Sequence, residues 1–180
     1  YNGSVTGLIQ NLEQMKNQSG QRAQFQNTLS GMEDTARTNP ANFQNAVSLA
    51  NVYIQTGQKD RAGQLLNQVL TNSQAPANAI AAAAQMDAQL GNLPQLETAL
   101  KKLTALTPGQ PEPWYDIAAL ELALGKTDAA LQDLKTSLDL NAQRLKINPH
   151  ADDLAATNRL DPRFNSVRNL PEFQQITAAP

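Results

Sequence analysis

Two carboxylic acids, Asp87 and Glu121, stand 34 residues apart and could work as a pair. Two carboxyl groups can serve as general acid and general base when their surroundings push their pKa values apart. Nothing close to them in the sequence supplies the third catalytic group that such a site needs. We therefore expect both side chains to lie at helix–helix edges, hydrogen-bonded or solvated. A functional pair of acids remains the alternative.

The other residue types that carry chemistry are scarce. The chain has no cysteine, which excludes disulfides and thiolate metal sites, and its single histidine, His150, cannot build a multi-histidine metal site. The sequence contains no nucleotide-binding glycine loop and no His–Glu metal motif. We expect no catalytic residue, no cofactor and no bound metal, and therefore no enzyme.

Three glycines organise the elements that carry these residues. Gly57, Gly91 and Gly125 recur every 34 residues, each between two helix-forming runs with apolar periodicity. A glycine just past a helix end can adopt the left-handed conformation that closes the last turn. A period of about 34 residues is typical of a helix–turn–helix repeat. The register predicts repeats at 43–76, 77–110 and 111–144, a degenerate or capping helix pair at 1–42 and a capping segment at 145–180.

Small residues take matching positions before each glycine, at Ala50, Ala84 and Ala118. Small side chains let two helices approach closely, so we expect these alanines to be buried at helix contacts. Hydrophobic residues make up 41% of the chain but aromatic residues only 4%, so the core must be built mainly of alanine and leucine. Such a core suits close-packed helices better than a β-sandwich.

This pattern resembles that of the tetratricopeptide repeat (TPR) family. In that family the first helix carries a large aromatic residue, a leucine, a small residue and a tyrosine, the second helix carries alanines, and a proline closes the repeat. The matching residues are Ala50, Tyr53, Gly57 and Ala62 in the first repeat, Pro108 at the end of the second, and Trp114, Ile117, Ala118, Gly125 and Ala130 in the third. The tyrosine position of the pattern holds Asp87 and Glu121 in the second and third repeats. The resemblance implies an all-α fold, a right-handed α–α superhelix (TPR solenoid) of stacked antiparallel helix pairs.

Both ends of the chain depart from the repeat. In the first 42 residues, Leu8, Leu12 and Met15 share a helical stripe, and we expect a linker at residues 18–21 to separate two helices. After the third glycine, a leucine stripe predicts that the second helix continues to about Asn148. A short helix at residues 152–158 is expected to follow.

The last residues resemble the Asp–Pro–Phe tail that closes bacterial TPR arrays. The segment reads Leu160, Asp161, Pro162, Arg163, Phe164, and apolar residues continue at Leu170 and Phe173. The resemblance implies that Phe164, Leu170 and Phe173 cover the exposed face of the last helix pair. A partner-binding motif is the alternative for this segment.

The resemblance also implies a function, that of a non-catalytic scaffold that binds a partner protein in the concave groove formed by the first helices. The register predicts that this groove is lined by Asn51, Gln55, Ala81, Gln85, Gln89, Tyr115, Ala119 and Leu122. Amides among small apolar residues favour a neutral extended peptide. The basic clamp by which some TPR modules hold acidic tails is absent, because the matching positions read Val47, Asn51, Ala82, Glu112 and Asp116.

The amino-acid composition also limits the classes of partner that the protein is expected to bind. The net charge is −2 and only Lys101 and Lys102 form a basic pair, so we expect no nucleic-acid binding. No apolar run approaches the ~20 residues needed to span a bilayer. The start at Tyr1 is expected to be that of a fragment of a longer protein, and the Gln- and Asn-rich composition favours an extracytoplasmic bacterial protein. The alternative function is a structural spacer or self-association domain of a larger, possibly membrane-attached protein, and the sequence leaves the oligomeric state open.

Overall fold

The structure, a computed structural model, describes the backbone of residues 2–178 and the side chains of Gln14 and of residues 16–178. The described residues form α-helices, one 3-10 helix and connecting turns, without any β-strand. The predicted all-α fold of helix pairs is therefore confirmed. The chain divides into two compact units, Tyr1–Leu65 and Leu66–Pro180, which we call the N-terminal unit and the C-terminal unit.

The helices follow one another with short connections. In chain order they are α1 (Asn2–Thr38), α2 (Phe43–Gln55), α3 (Lys59–Thr71), α4 (Ala77–Leu90), α5 (Leu93–Leu106), α6 (Pro111–Ala123), α7 (Thr127–Ile147), α8 (Leu154–Leu160), the 3-10 helix Pro162–Val167 and α9 (Pro171–Ala178). Turns of two or three residues join α2 to α3, α4 to α5 and α6 to α7. Such short turns make the two helices of each pair antiparallel neighbours.

The three glycines end helices as predicted. Gly57, Gly91 and Gly125 have φ values of 78°, 71° and 74°, in the left-handed region that a side chain would disfavour. The residue after each glycine donates its N–H to a carbonyl in the last turn of the preceding helix, at 2.7–2.9 Å. The accepting carbonyls belong to Tyr53, Asp87 and Glu121, so the position that departs from the TPR pattern serves the same backbone turn in all three pairs.

The N-terminal unit differs from the expected helix pair. Residues 2–38 form the single helix α1, and no linker interrupts it at residues 18–21. Gly20 stays helical because the run around it is rich in glutamine and other helix-compatible residues, which outweighs the cost of about 1 kcal/mol for one glycine. The predicted stripe Leu8, Leu12 and Met15 lies outside the described side chains.

Hydrogen bonds connect the C-terminal part of helix α1 to the rest of its unit. The Asn45 side chain donates to the carbonyl of Met32 at 2.9 Å, and the Tyr53 hydroxyl donates to Glu33 Oε1 at 2.9 Å. Arg61 donates to the same Glu33 oxygen at 2.8 Å, and its guanidinium lies 4.2 Å from the Tyr53 ring centroid. Burial and the hydrogen bond to Glu33 raise the pKa of Tyr53 to about 12, so its hydroxyl remains a donor at neutral pH.

In the C-terminal unit, α4, α5, α6 and α7 pack consecutively, each on the next. Polar contacts fasten their ends: the buried Ser137 hydroxyl donates to the carbonyl of Pro111 at 2.8 Å. Lys102 Nζ donates to the carbonyls of Leu70 and Asn72 at 2.9 and 2.6 Å, which satisfies acceptors left unpaired at the end of α3.

Helix α7 continues to Ile147, and the short helix α8 starts at Leu154, two residues later than expected.

The 3-10 helix packs on α6, and α8 and α9 pack on α7. Phe164 is fully buried, its ring centroid 5.1 Å from that of Tyr115 and 6.4 Å from that of Phe173. Val167 is buried in the same cluster, and Leu170 is partly buried against it. Phe164, Val167 and Phe173 share one buried cluster with Leu134 and Leu138 of α7.

The matched alanines Ala84 and Ala118 give a prediction about packing. Both are buried, but Ala118 belongs to the core cluster of α6 and α7, whereas Ala84 borders an open cavity. Replacing Ala118 with leucine is expected to lower the free energy of unfolding by about 1–3 kcal/mol through overpacking, and Ala84→Leu by less than about 1 kcal/mol. Urea unfolding followed by circular dichroism measures both changes. Equal losses in the two variants would contradict the assigned environments.

Candidate functional site

The two carboxylic acids occupy buried positions at the ends of their helices. Asp87 is fully buried and Glu121 is 5% exposed, and each has one carboxyl oxygen with no hydrogen-bond partner. The alternative that they are solvated is therefore wrong, whereas Asp87 Oδ1 does accept a hydrogen bond from the Asn92 side chain. Their position explains this: each carbonyl closes the glycine turn, which points the side chain into the helix pair where the TPR pattern has tyrosine.

Burial changes the ionisation of both acids. It raises the pKa of Asp87 to about 6, and the side-chain amide of Asn92, 3.4 Å from Asp87 Oδ1, only partly offsets this. Burial also raises the pKa of Glu121, and the nearby carboxylate of Asp133 raises it further. Perturbed carboxyl groups are common at functional sites, but neither acid is among the residues that line the cavity described next. Their raised pKa values make stability depend on pH.

A cavity of about 1360 Å³ lies in the C-terminal unit. Helices α4, α5 and α6 line it, and its surface is mostly apolar. Its apolar lining consists mainly of alanines and leucines on these three helices, among them Ala81, Ala84, Leu96, Leu100, Leu103, Ala119 and Leu122. Polar side chains, among them Asn78, Gln85 and Gln110, also line this cavity.

Half of the predicted groove residues lie together at this cavity. Ala81 and Gln85 on α4 and Ala119 and Leu122 on α6 are among its lining residues. Gln89 is exposed on α4 outside the cavity lining. The remaining three are Tyr115, which is buried elsewhere, and Asn51 and Gln55, which are exposed on α2 in the N-terminal unit.

Tyr115 does not present an exposed surface to the predicted groove. Its side chain is 4% exposed, because Phe164 packs against the ring. Its hydroxyl donates to Asp161 Oδ2 at 3.1 Å. Burial raises the pKa of Tyr115 to about 12, so this hydroxyl keeps its proton. Tyr115 thus anchors the tail.

The tail contributes a wall of the cavity that sequence reasoning missed. Pro162, Arg163, Asn165 and Ser166 of the 3-10 helix are lining residues. Arg163 donates to Asp161 Oδ2 at 2.7 Å and lies 3.3 Å from Asp116 on α6. The spacing of Phe164 and Val167, three residues apart, is a signal that the sequence does contain. In a 3-10 helix such residues lie on one face, which is buried here, so the residues between them face away from the core.

Other kinds of site find no support among the described residues. No group of three or more His, Cys, Asp or Glu side chains there could hold a metal ion. His150 is exposed in the turn after α7. Among the helices that the structure describes, none is long and apolar enough to cross a membrane.

The arrangement defines a helical-repeat protein with a cavity between successive pairs. Residues 44–76 match the family model of the tetratricopeptide repeat. This match covers one of the three repeats that the sequence predicts, and the helix-pair fold agrees with a TPR array. Proteins of this class are in general non-catalytic scaffolds for protein interactions.

Solved structures with the same fold include two crystal structures of MamA. One is 14% identical, with a TM-score of 0.56 over 88% of this chain and 87% of that chain. The other is 13% identical, with a TM-score of 0.52 over 90% of this chain and 87% of that chain. No curated protein matches the sequence. At these identities, the likeness to MamA concerns the fold alone.

Proposed function

We propose that this TPR protein is a non-catalytic scaffold that binds a segment of a partner protein in the cavity lined by α4, α5 and α6. The observation that carries the proposal is the cavity itself, about 1360 Å³ of mostly apolar surface. Exposed apolar concavities of this size mark binding sites in folded proteins. The predicted groove residues Ala81, Gln85, Ala119 and Leu122 belong to it.

The apolar character of the cavity indicates how a partner would bind. Burial of leucine and alanine surface supplies the free energy, while amides such as Gln85 and Asn78 can pair with polar groups of the partner. The sequence predicts a neutral extended peptide as the occupant and a groove that also includes Asn51, Gln55, Gln89 and Tyr115. The burial of Tyr115 favours a groove centred on α4 and α6 instead.

The proposal predicts site-specific crosslinking. A photoreactive phenylalanine analogue in place of Gln85, which lines the cavity and is exposed, should capture a partner in cells that produce the protein. The same analogue in place of Ala105, which is exposed on α5 outside the cavity, is the matched control. Ala81→Arg should abolish capture at position 85 because the long, charged side chain obstructs the cavity, whereas Ala105→Arg should not. Capture that survives Ala81→Arg would argue against the cavity as the site.

A structural spacer or self-association domain is the second candidate. The observation in its favour is α1, whose residues 16–28 are all exposed. A helix that is polar on all sides is typical of segments that bridge through solvent. Sedimentation velocity over a range of concentrations separates the two functions: stable self-association supports the spacer, and a monomer at every concentration supports the scaffold.

A further inference from the structure

We propose that the occupant of the cavity is an amphipathic α-helix of a partner protein that carries a lysine or arginine at the edge of its apolar face. This inference rests on the proposed function, because it specifies the partner of the same site. Three properties of the cavity support it: the chemistry of its floor, the small residues along one wall, and the charges along the other.

The leucines of α5 that line the cavity, which we call its floor, favour a helix over an extended segment as the occupant. These leucines, Leu96, Leu100 and Leu103, have side chains that can make no hydrogen bonds. An extended segment laid on them would bring an N–H and a C=O from every residue, and buried backbone groups without partners are strongly disfavoured. A helix bonds these groups to each other along its own length. Only side chains then need to match the floor.

The wall formed by α4 admits the close approach of a helix. Ala77, Ala81, Ala84 and Ala88 recur every three or four residues and all line the cavity. Rows of small side chains with this spacing form a shallow groove for the ridge of another helix. One helical turn, about 11 Å across and about 5.4 Å high, occupies about 500 Å³. The cavity of about 1360 Å³ therefore holds between two and three turns.

The wall formed by α6 and the tail carries an excess of negative charge. Glu112 and Asp116, one helical turn apart, both line the cavity, and Arg163 is the one cationic residue among the lining residues. Arg163 is held by Asp161 and Asp116, and Arg144 pairs with Glu112. The three carboxylates of Glu112, Asp116 and Asp161 thus exceed the two guanidiniums of Arg144 and Arg163 by one negative charge.

The ionisation of Asp116 is consistent with this excess. Its side chain is about half exposed, but the surrounding protein partly desolvates the carboxyl group and raises its pKa; contact with Arg163 opposes the rise, and the carboxylates of Asp161 and Glu112 add to it. A further cation at this wall would stabilise the ionised form of Asp116. A lysine or arginine at the edge of a bound helix can reach this position, because Glu112 and Asp116 are both exposed.

The inference can be tested with synthetic peptides and the full chain. The first peptide is a capped helix of about 14 residues, or four turns, with leucines at i, i+3, i+4 and i+7 and one lysine beside them. The second has the same composition with two central residues replaced by proline, which prevents helix formation. The third carries glutamate in place of the lysine. Fluorescence anisotropy measures the affinity of each.

We expect the lysine helix to bind most tightly, the glutamate helix about three- to tenfold more weakly, and the proline peptide not to bind. The double variant Glu112→Gln/Asp116→Asn should remove the preference for lysine over glutamate. Asp152→Asn, which neutralises an exposed carboxylate that does not line the cavity, should leave this preference unchanged.

The outcomes that would overturn the inference differ from those that would overturn the proposed function. If the proline peptide binds as tightly as the lysine helix and Ala81→Arg blocks both, the cavity binds partners but not specifically helices. Equal affinities of the lysine and glutamate helices would disprove the charge preference. If no peptide binds, or if Ala81→Arg has no effect on binding, the cavity is not a docking site and the proposed function fails with the inference.

Discussion

Replacing Phe164 with alanine is expected to lower the free energy of unfolding of the C-terminal unit by about 3–5 kcal/mol. The side chain is fully buried and its ring packs between those of Tyr115 and Phe173. Alanine would leave a cavity that neighbours on α6 and α7 cannot fill without moving. This loss is a large part of the stability of a domain of this size.

Urea unfolding followed by circular dichroism measures this loss. Leu160→Ala is the matched control, because Leu160 lies four residues earlier but is 87% exposed, and its replacement should change stability by less than about 0.5 kcal/mol. Deletion of residues 161–180 should have a still larger effect and should cause aggregation, since it uncovers the apolar face of the last helix pair. Equal stability of Phe164→Ala and the wild type would show that the tail does not cap the repeats.

Replacing Asp87 with asparagine is expected to stabilise the protein at neutral pH. The pKa of Asp87 is 3.8 in an ordinary environment and about 6 in the folded protein, because burial disfavours the charge. Between these values the folded state binds more protons than the unfolded state, so the contribution of Asp87 to stability falls as the pH rises. At about 1.4 kcal/mol per pKa unit, the ionised side chain costs about 3 kcal/mol above pH 7.

The measurement is the difference in unfolding free energy between Asp87→Asn and the wild type as a function of pH. It should be smallest near pH 4, grow through about pH 6 and become constant above about pH 7. Asparagine keeps the oxygen that faces the Asn92 amide, so the variant preserves the local contact. Asp152→Asn, at an exposed aspartate, should show no such growth. A difference that does not change with pH would mean that Asp87 is not buried in its charged form.

The repeat architecture could be predicted because it rests on local chemistry. Glycine is the residue that adopts a positive φ without strain, and three glycines 34 residues apart place three helix ends. The end of α7 near Asn148 follows from a leucine stripe that stops before Pro149. These features need only the residues around them.

The parts that could not be predicted depend on contacts between distant residues. Tyr115 fits the register of the groove, but Phe164, 49 positions later, covers its ring. The burial of Asp87 and Glu121 does not follow from the sequence, because acidic side chains ordinarily lie at the surface. Arg163 lies in the segment predicted to cap the repeats, and its contact with Asp116, far away in the sequence, is not visible there either.

The central claim, that a partner segment occupies the cavity between α4 and α6, is tested most directly by NMR. Backbone amide shifts of the full chain would be mapped during titration with the lysine-bearing helical peptide. We predict that the largest changes occur around Ala81, Gln85, Ala119 and Leu122 and that Ala81→Arg abolishes them. Saturable changes confined to α1, or to α8 and α9, with the cavity residues unaffected, would contradict the account.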